Sequence, residues 1–303
     1  MRVFVTGASG HVGSAVVPEL LAAGHEVVGL ARSDASAAAL LAAGAQVYRG
    51  NLDDPDGLAE AVAAADGVIH LAFKHENMIA GDFLGAAEAD LRVVRMFGDV
   101  LAGTGKPLVA TSGTGLLAAL GRTGTEADSL PGGPRIDSEN AIVGFADRGV
   151  RSSVVRLPPT VHSRLDRHGF VPTLIATARA KGVSAYVGDG QNRWPAGHTL
   201  DAAHLYRLAL ESAPAGSRLH AVDDEGVTLR TIAEIIGRHL NVPVVSIAPE
   251  EAPTHFGFLA PMVQLDNPTT AAATAALLGW KPVHPNLIED LEDGHYFTDA
   301  GES

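Results

Sequence analysis

The chain has no cysteine, which excludes disulfides, thiol catalysis and thiolate metal centres together. Lysine is scarce, with Lys74, Lys106, Lys181 and Lys281 the only four. Lys and Arg together number 22 against 35 Asp and Glu, for a formal net charge of −13. With no basic run or stripe, that balance argues against a nucleic-acid partner; acidity of this size serves simply to keep a protein dispersed in water. Aromatic residues make up 5% of the chain and tyrosine occurs four times. No apolar stretch approaches the roughly 20 residues that a membrane span needs. A strand pattern begins at residue 2, which leaves no room for a leader peptide. The expectation is a cytoplasmic protein with neither membrane nor nucleic-acid partners.

What is present is an ordinary globular balance, 46% hydrophobic and 19% charged over 303 residues. That length accommodates one large domain, or a domain with a smaller lobe. The most informative segment is Thr6-Gly7-Ala8-Ser9-Gly10-His11-Val12-Gly13. It lies between an apolar strand, Arg2–Val5, and a helical stretch, Gly13–Ala23, and a second strand pattern, Glu26–Leu30, follows. Glycines at this spacing allow a tight turn, close approach of backbone to a phosphate, and close helix–strand packing. The helix N-terminus behind them offers free N–H groups to an anion. The segment therefore predicts a dinucleotide pyrophosphate site.

Strand and helix signals alternate through the first half, which predicts an α/β fold with a doubly wound parallel sheet. Further strands are expected at Ala45–Arg49, Gly67–Leu71, Pro107–Thr111 and Ser152–Arg156. Helices are expected at Ala35–Ala43, Asp56–Ala65, Gly85–Ala102 and Asp137–Arg148. After Leu157-Pro158-Pro159 the pattern loosens. The expected division is a dinucleotide-binding domain of residues 1–160 plus 199–223, with a smaller C-terminal substrate lobe of residues 161–198 plus 224–303. A helix at Asp201–Ser212 and a strand at Arg218–Val222 return to the main sheet, and helices are expected at Thr228–Leu240 and Thr269–Leu278. The Gly-, Pro-, Thr- and Asp-rich stretch Gly121–Pro134 is expected to be a mobile loop.

The motif Thr6-Gly7-x-x-Gly10-x-x-Gly13 resembles the extended short-chain dehydrogenase/reductase family, in its sugar-nucleotide epimerase-like branch. So do Gly50-Asn51-Leu52-Asp53, Val68-Ile69-His70-Leu71-Ala72 and Thr111-Ser112-Gly113. Arg156-Leu157-Pro158-Pro159-Thr160-Val161-His162, Gly188-Asp189-Gly190 and His198-Thr199-Leu200-Asp201 complete the resemblance, which spans nearly the whole chain in the right order and implies a Rossmann sheet. The family's Tyr-x-x-x-Lys pair is missing, since none of the four tyrosines has a lysine four residues on. Aligning Arg135-Ile136-Asp137-Ser138-Glu139 with the family's Tyr-x-x-Ser-Lys puts Arg135 at the tyrosine and Glu139 at the lysine. The family's supporting asparagine falls near Asp90, and the serine is kept as Ser112. The chain thus resembles an atypical subgroup.

At the end of the second strand, Arg32 and Ser33 supply a charged fork and a hydroxyl where a 2′-phosphate would sit, so the expected cofactor is NADP(H) rather than NAD(H). The loop residues Gly7, Ser9, Gly10, His11, Val12 and Gly13 are expected to hold the pyrophosphate. By resemblance, Asn51 and Leu52 flank the adenine, Leu71, Ala72 and Phe73 the ribose and pyrophosphate, and Thr111, Pro158 and Val161 the nicotinamide end.

Hydride delivery to a carbonyl requires a donor for the developing alkoxide. Ser112 is the best-placed hydroxyl, with Lys74 as a spatial substitute for the missing lysine and His162 as a titratable acid on the nicotinamide turn. Glu139 is either an acid with a raised pKa or the ion-pair partner of Arg135 one helical turn away. Tyr186 reaches in from the second lobe. His75, Thr114, Arg193, Trp194 and His198 are candidate substrate contacts. His162, Asp166 and His168 match no metal-ligand spacing, so no metal is expected. The first reading is an NADPH-dependent oxidoreductase that reduces a small carbonyl or imine through a non-standard proton donor. The alternatives are an NADP(H)-binding redox sensor without turnover and a sugar-nucleotide epimerase-like isomerase. Partners are small molecules, with a homodimer through the Gly85–Ala102 and Asp137–Arg148 helices as the family's usual assembly.

Overall fold

The computed structural model describes residues 1–298. Its strands are β1 (Arg2–Thr6), β2 (Glu26–Ala31), β3 (Gln46–Arg49), β4 (Gly67–His70), β5 (Pro107–Gly113), β6 (Arg151–Leu157), β7 (Thr160–His162), β8 (Ser184–Val187), β9 (Arg193–His198), β10 (Ser217–His220), β11 (Asp224–Thr228) and β12 (Val244–Ile247). The helices are α1 (Gly13–Ala22), α2 (Asp34–Ala42), α3 (Ala59–Ala64), α4 (His75–Ile79), α5 (Phe83–Leu101), α6 (Ile136–Gly144), α7 (Phe170–Lys181), α8 (Thr199–Ser212), α9 (Leu229–Leu240), α10 (Ala252–Phe256), α11 (Ala272–Leu278) and α12 (Leu287–Glu292).

Seven strands form one parallel sheet in the order β10-β6-β5-β4-β1-β2-β3. The run Val3-Phe4-Val5 is wholly buried, as expected of a central parallel strand covered on both faces. Alternation along β1 sends Val3 and Val5 into one core with α1 and α8 residues such as Val16, Leu20, Leu205 and Tyr206. Phe4 goes to the opposite core, with Val62, Val93, Phe97 and Ile142 from α3, α5 and α6. This is the doubly wound Rossmann architecture expected from the alternating pattern. Strand order reverses between β1 and β4, and a crevice at the carboxyl ends of the strands opens at such a switch point.

The C-terminal lobe carries a three-stranded sheet, β11-β9-β7, and a two-stranded sheet, β12-β8. Its own core gathers Val171 and Ile175 of α7, Trp194 of β9, Ile232 and Ile236 of α9, Phe256 of α10 and Leu287 of α12. Helix α9 has the strongest amphipathic pattern and is closed by residues suited to each end: the Thr228 hydroxyl accepts the Thr231 N–H, and Asn241 adopts the left-handed conformation. Helix α7, which turns Val171, Leu174, Ile175 and Ala178 inward at helical spacing, and the short strands of this lobe are not among the elements expected from the sequence. The segment expected to be mobile is instead fastened: the Gly124 N–H donates to the Pro268 carbonyl at 2.8 Å, and the Thr270 N–H donates back to Gly124 at 3.0 Å. Asp128 accepts from the Thr125 N–H at 2.8 Å, and Asn140 of α6 donates to the Leu130 carbonyl at 2.9 Å. Among the described residues, no helix is long and apolar enough to cross a membrane.

Candidate active site

The glycine loop closes over the ends of β1 and β4. Gly7 has φ +68°, and a Cβ there would lie 2.7 Å from the Ala72 nitrogen. A Cβ on Gly13 would lie 2.1 Å from the Gly7 carbonyl oxygen, backbone against backbone. Both positions therefore require glycine. Ser9 is exposed and His11 and Val12 are half-buried, so the first turn of α1 borders the crevice. This shape is the cradle that a pyrophosphate requires.

Beneath the loop runs a buried polar chain. The Thr6 hydroxyl donates to His70 Nδ1 at 2.6 Å, and His70 Nε2 donates to Asp90 Oδ1 at 3.2 Å. Asp90 Oδ2 pairs with Arg135 Nη1 at 3.0 Å. Burial pushes the Asp90 carboxyl up, but the His70 hydrogen bond, the Arg135 charge and Ser138 together hold it below the ordinary aspartate range. Arg135 also donates to the Thr111 carbonyl at 2.9 Å, and its guanidinium lies 4.2 Å above the Phe73 ring. His75 packs edge-on against the same ring; partial burial and the Arg135 charge lower its pKa.

Strand alternation separates the two hydroxyls at the end of β5. Thr111 faces α8, where the buried Tyr206 hydroxyl donates to it at 2.7 Å. Ser112 faces α6 beside the Glu139 carboxylate, and its hydroxyl is buried, with no hydrogen-bond partner among the described residues. Glu139 is not paired with Arg135. Arg156 of β6 grips it with bonds of 3.0 and 2.5 Å, and Arg218 of β10 adds a third at 3.0 Å. Burial alone would raise its pKa, but Arg156, Ser112 and Arg218 pull it below the usual value. Glu139 is thus a fixed carboxylate rather than a proton donor, which corrects both readings made from sequence.

Other candidates are drawn elsewhere. Lys74 pairs with Asp53 beyond β3 and makes no contact with Ser112. His162 is fully buried; its Nδ1 donates to Asp290 at 2.9 Å and its Nε2 has no partner, so no crevice surface reaches it. Tyr186 belongs to the two-stranded sheet of the second lobe and lies under Arg230. Trp194, expected at the substrate cleft, is a fully buried core residue whose Nε1–H donates to the Met262 carbonyl at 3.0 Å; its bulk fills the lobe interior instead. Arg193 is fixed by Asp266 at 2.8 Å, and Thr114 is buried against Asn267. His198 accepts the Leu200 N–H as the cap of α8. His198, Asp201 and His284 each bring one donor atom within 4.8 Å of the others. Asp201, however, already accepts the Val283 and His284 N–H groups and the His284 ring, so the cluster is a structural cap.

On the adenosine side, Asn51 accepts the Asp53 N–H. Leu52 is partly buried, and Leu71, Ala72 and Phe73 line the end of β4 half-buried. Pro158 and Val161 flank the buried Thr160.

Residues 3–84 match the model of the NAD dependent epimerase/dehydratase family. An uncharacterized protein of Schizosaccharomyces pombe is 50% identical over 98% of this chain and 100% of its own length. A 2′-dehydrokanamycin reductase of Streptomyces kanamyceticus is 30% identical over 80% of this chain and 68% of its own. The chain belongs to the NAD dependent epimerase/dehydratase family. It is accordingly a nucleotide-cofactor enzyme, an oxidoreductase or isomerase of that family. The crystal structure of DesIV, a dTDP-glucose 4,6-dehydratase from Streptomyces venezuelae with NAD and TYD bound, shares the fold with a TM-score of 0.79, at 19% identity over 98% of this chain and 97% of that one.

The expectation of NADP(H) is overturned. Six solved structures with this fold carry NAD. The two groups that suggested a 2′-phosphate are also engaged locally: Arg32 pairs with Glu76 of α4, and the Ser33 hydroxyl caps α2 by accepting the Ser36 N–H. Asp34, adjacent in sequence, pairs with Arg49 instead. Sequence reading missed the engagement of Arg32 because Glu76 lies 44 positions away. It also missed His70, Arg156 and Arg218 as supports of the site, because strand residues with apolar neighbours read as core.

Proposed function

We propose that this enzyme moves a hydride between NAD(H) and an oxygen-bearing carbon of a small polar substrate, a ketone in one direction and a secondary alcohol in the other. The observation that carries this reading is the steric cradle of Gly7 and Gly13 at the same sheet end as the β5 terminus, which carries Ser112 and where Arg135 bonds the Thr111 carbonyl. The loop and the first turn of α1 would hold the pyrophosphate. Asn51 and Leu52 would flank the adenine, and Thr111, Pro158 and Val161 the nicotinamide end. When bound, the dinucleotide supplies the hydride chemistry. Ser112, whose buried hydroxyl has no partner among the described residues, would donate to the reacting oxygen once the turn beside it opens to admit substrate, with Glu139 held ionised at its side. Residues 161–198 and 224–303 would cover the substrate. The likeness to the 2′-dehydrokanamycin reductase supports reduction as the net reaction.

An isomerase that retains its dinucleotide is the second reading, favoured by the likeness to DesIV and to a UDP-glucose 4-epimerase of Corynebacterium glutamicum at 22% identity. NADH oxidation with a panel of ketones, ketosugars and imines separates the two. Stoichiometric oxidation that collapses in Ser112→Ala supports the reductase. Interconversion of sugar nucleotides by protein that purifies with NAD, with no net NADH consumption, supports the isomerase. NADH binding without either reaction would refute both.

A further inference from the structure

At the position that aligns with the family's catalytic tyrosine stands Arg135, and its surroundings hold the guanidinium in one place. It is one of two non-glycine residues with positive φ among those described. The other, Asn241, ends α9 at φ 54°, ψ 46°, an ordinary left-handed cap. Arg135 has φ 66° and ψ −33°, outside that well, and such conformations persist where surrounding contacts over-determine them. The contacts here are the Asp90 carboxylate at 3.0 Å, the Thr111 carbonyl at 2.9 Å and the Phe73 ring beneath the guanidinium. His70 bonds the other oxygen of Asp90, so the carboxylate cannot swing away.

An arginine cannot take over the tyrosine's proton transfer, because its guanidinium does not deprotonate in proteins. Of its five N–H groups, one donates to the Thr111 carbonyl among the described residues, while Asp90 lies beside the guanidinium as an ion pair. The side chain is 14% exposed, so it is not sealed inside the fold. Asp90 balances the charge without using all the donors. A planar, fixed fork of this kind fits a carboxylate through two parallel hydrogen bonds. Arg135 stands at the position of the family's tyrosine and holds the β5 terminus at Thr111, so a carboxylate on it would lie beside the carbon that reacts.

We propose that Arg135 is the substrate anchor of this site and that the substrate is a 2-oxo acid, or the 2-hydroxy acid in the reverse direction. The proposal rests on the NAD(H)-dependent reading above. The reaction balances as 2-oxo acid plus NADH plus a proton from water, giving 2-hydroxy acid plus NAD⁺. The carbonyl carbon receives the hydride and its oxygen the proton, while the carboxylate stays bound and unchanged.

The test uses the full chain, NADH and two probes that cannot be reduced: oxamate, which has the carboxylate, and oxamide, its neutral counterpart. Binding is read from the fluorescence of protein-bound NADH. In the unaltered protein oxamate should bind at least tenfold more tightly than oxamide. Arg135→Gln should abolish that preference in protein that remains folded by circular dichroism, and Arg135→Lys, which keeps a charge beside Asp90, should restore part of it. Equal affinities for the two probes in the unaltered protein would overturn the anchor without reference to any variant. Retention of the preference in folded Arg135→Gln would do the same. NADH binding without oxamate binding refutes the anchor alone, whereas failure to bind NADH refutes the cofactor reading and the anchor with it.

Discussion

Replacing Gly13 with alanine is the sharpest test of the dinucleotide cradle. The added methyl would lie 2.1 Å from the Gly7 carbonyl oxygen and 2.7 Å from the Ala8 carbonyl carbon and oxygen. Ordinary contact begins near 3.4 Å, so the loop must retreat from α1 by about 1 Å, because backbone atoms have no rotamer with which to yield. Overpacking of this kind costs roughly 1–3 kcal/mol in stability. The larger effect falls on binding. A loop displaced by that amount no longer aims its N–H groups at the phosphates, and hydrogen bonds to charged groups contribute about 1.5–3 kcal/mol each. Loss of two corresponds to roughly a hundredfold to ten-thousandfold in Kd. Gly10→Ala is the internal control, since its methyl would meet only the Gly7 oxygen, at 3.2 Å; a shift of a few tenths of an ångström accommodates it, and binding should weaken only several-fold. Titrating both variants with NADH and following protein-bound fluorescence gives the answer. If Gly13→Ala binds NADH as tightly as the unaltered protein, the pyrophosphate does not sit in this loop.

Glu139→Ala should destabilise the protein by about 3–5 kcal/mol, because it strands the buried Arg156 and half-buried Arg218 without their carboxylate; a urea midpoint equal to that of the unaltered protein would remove the ion cluster from the account of the fold. Stability should also fall in acid. Burial and neighbouring histidines lower the pKa of His11 and of His198 to about 4, below the value of 6.5 for an exposed histidine, so the unfolded chain binds more protons between these limits and stability is lost as pH falls from 6.5 toward 4. Asp166, raised by burial to about 6, works in the opposite direction below pH 6. The balance should be a loss of about 3 kcal/mol between pH 7 and pH 4, and a urea midpoint independent of pH over that range would contradict it. Arg32→Ala should leave both the thermal midpoint and the NADH dissociation constant within twofold of their starting values, since its partner Glu76 is a surface group; a tenfold loss of NADH affinity would mean that Arg32 contacts the cofactor after all.

Period-2 and period-3.6 patterns marked the Rossmann half because each of its elements is buried on a predictable face. β1 is apolar from Val3 to Val5, and α5 turns Val93, Val94 and Phe97 inward, so local sequence and tertiary burial agree. The C-terminal lobe was less legible because its strands are short and its core is shared among α7, α9, α10 and α12; the stripe on α9 marks that helix without naming its partners, and α10 and α12 span little more than a turn each. Tyr186 and Trp194 illustrate the difficulty: their chemistry suggested a site, while packing put one in a two-stranded sheet and the other in the lobe interior.

The active-site departures were visible as single residues, and their meaning lay in the pairs they form. A tyrosine-to-arginine exchange read alone suggests a lost catalyst, and an asparagine-to-aspartate exchange read alone suggests drift. In space the two departures meet at 3.0 Å. The glutamate at the lysine position is likewise matched by arginines on β6 and β10, from strands that sequence spacing cannot align with α6. A buried charge without its counter-ion destabilises a fold by several kcal/mol, so each unexpected charge in the aligned motif implied a second one of opposite sign elsewhere in the chain. Asp90 was such a second charge, already in view at the asparagine position. Arg156 and Arg218 were hidden by the apolar strand residues around them. The site is therefore a coherent rearrangement of charge around a retained serine, and its chemistry has to be sought among substrates that an arginine fork can hold.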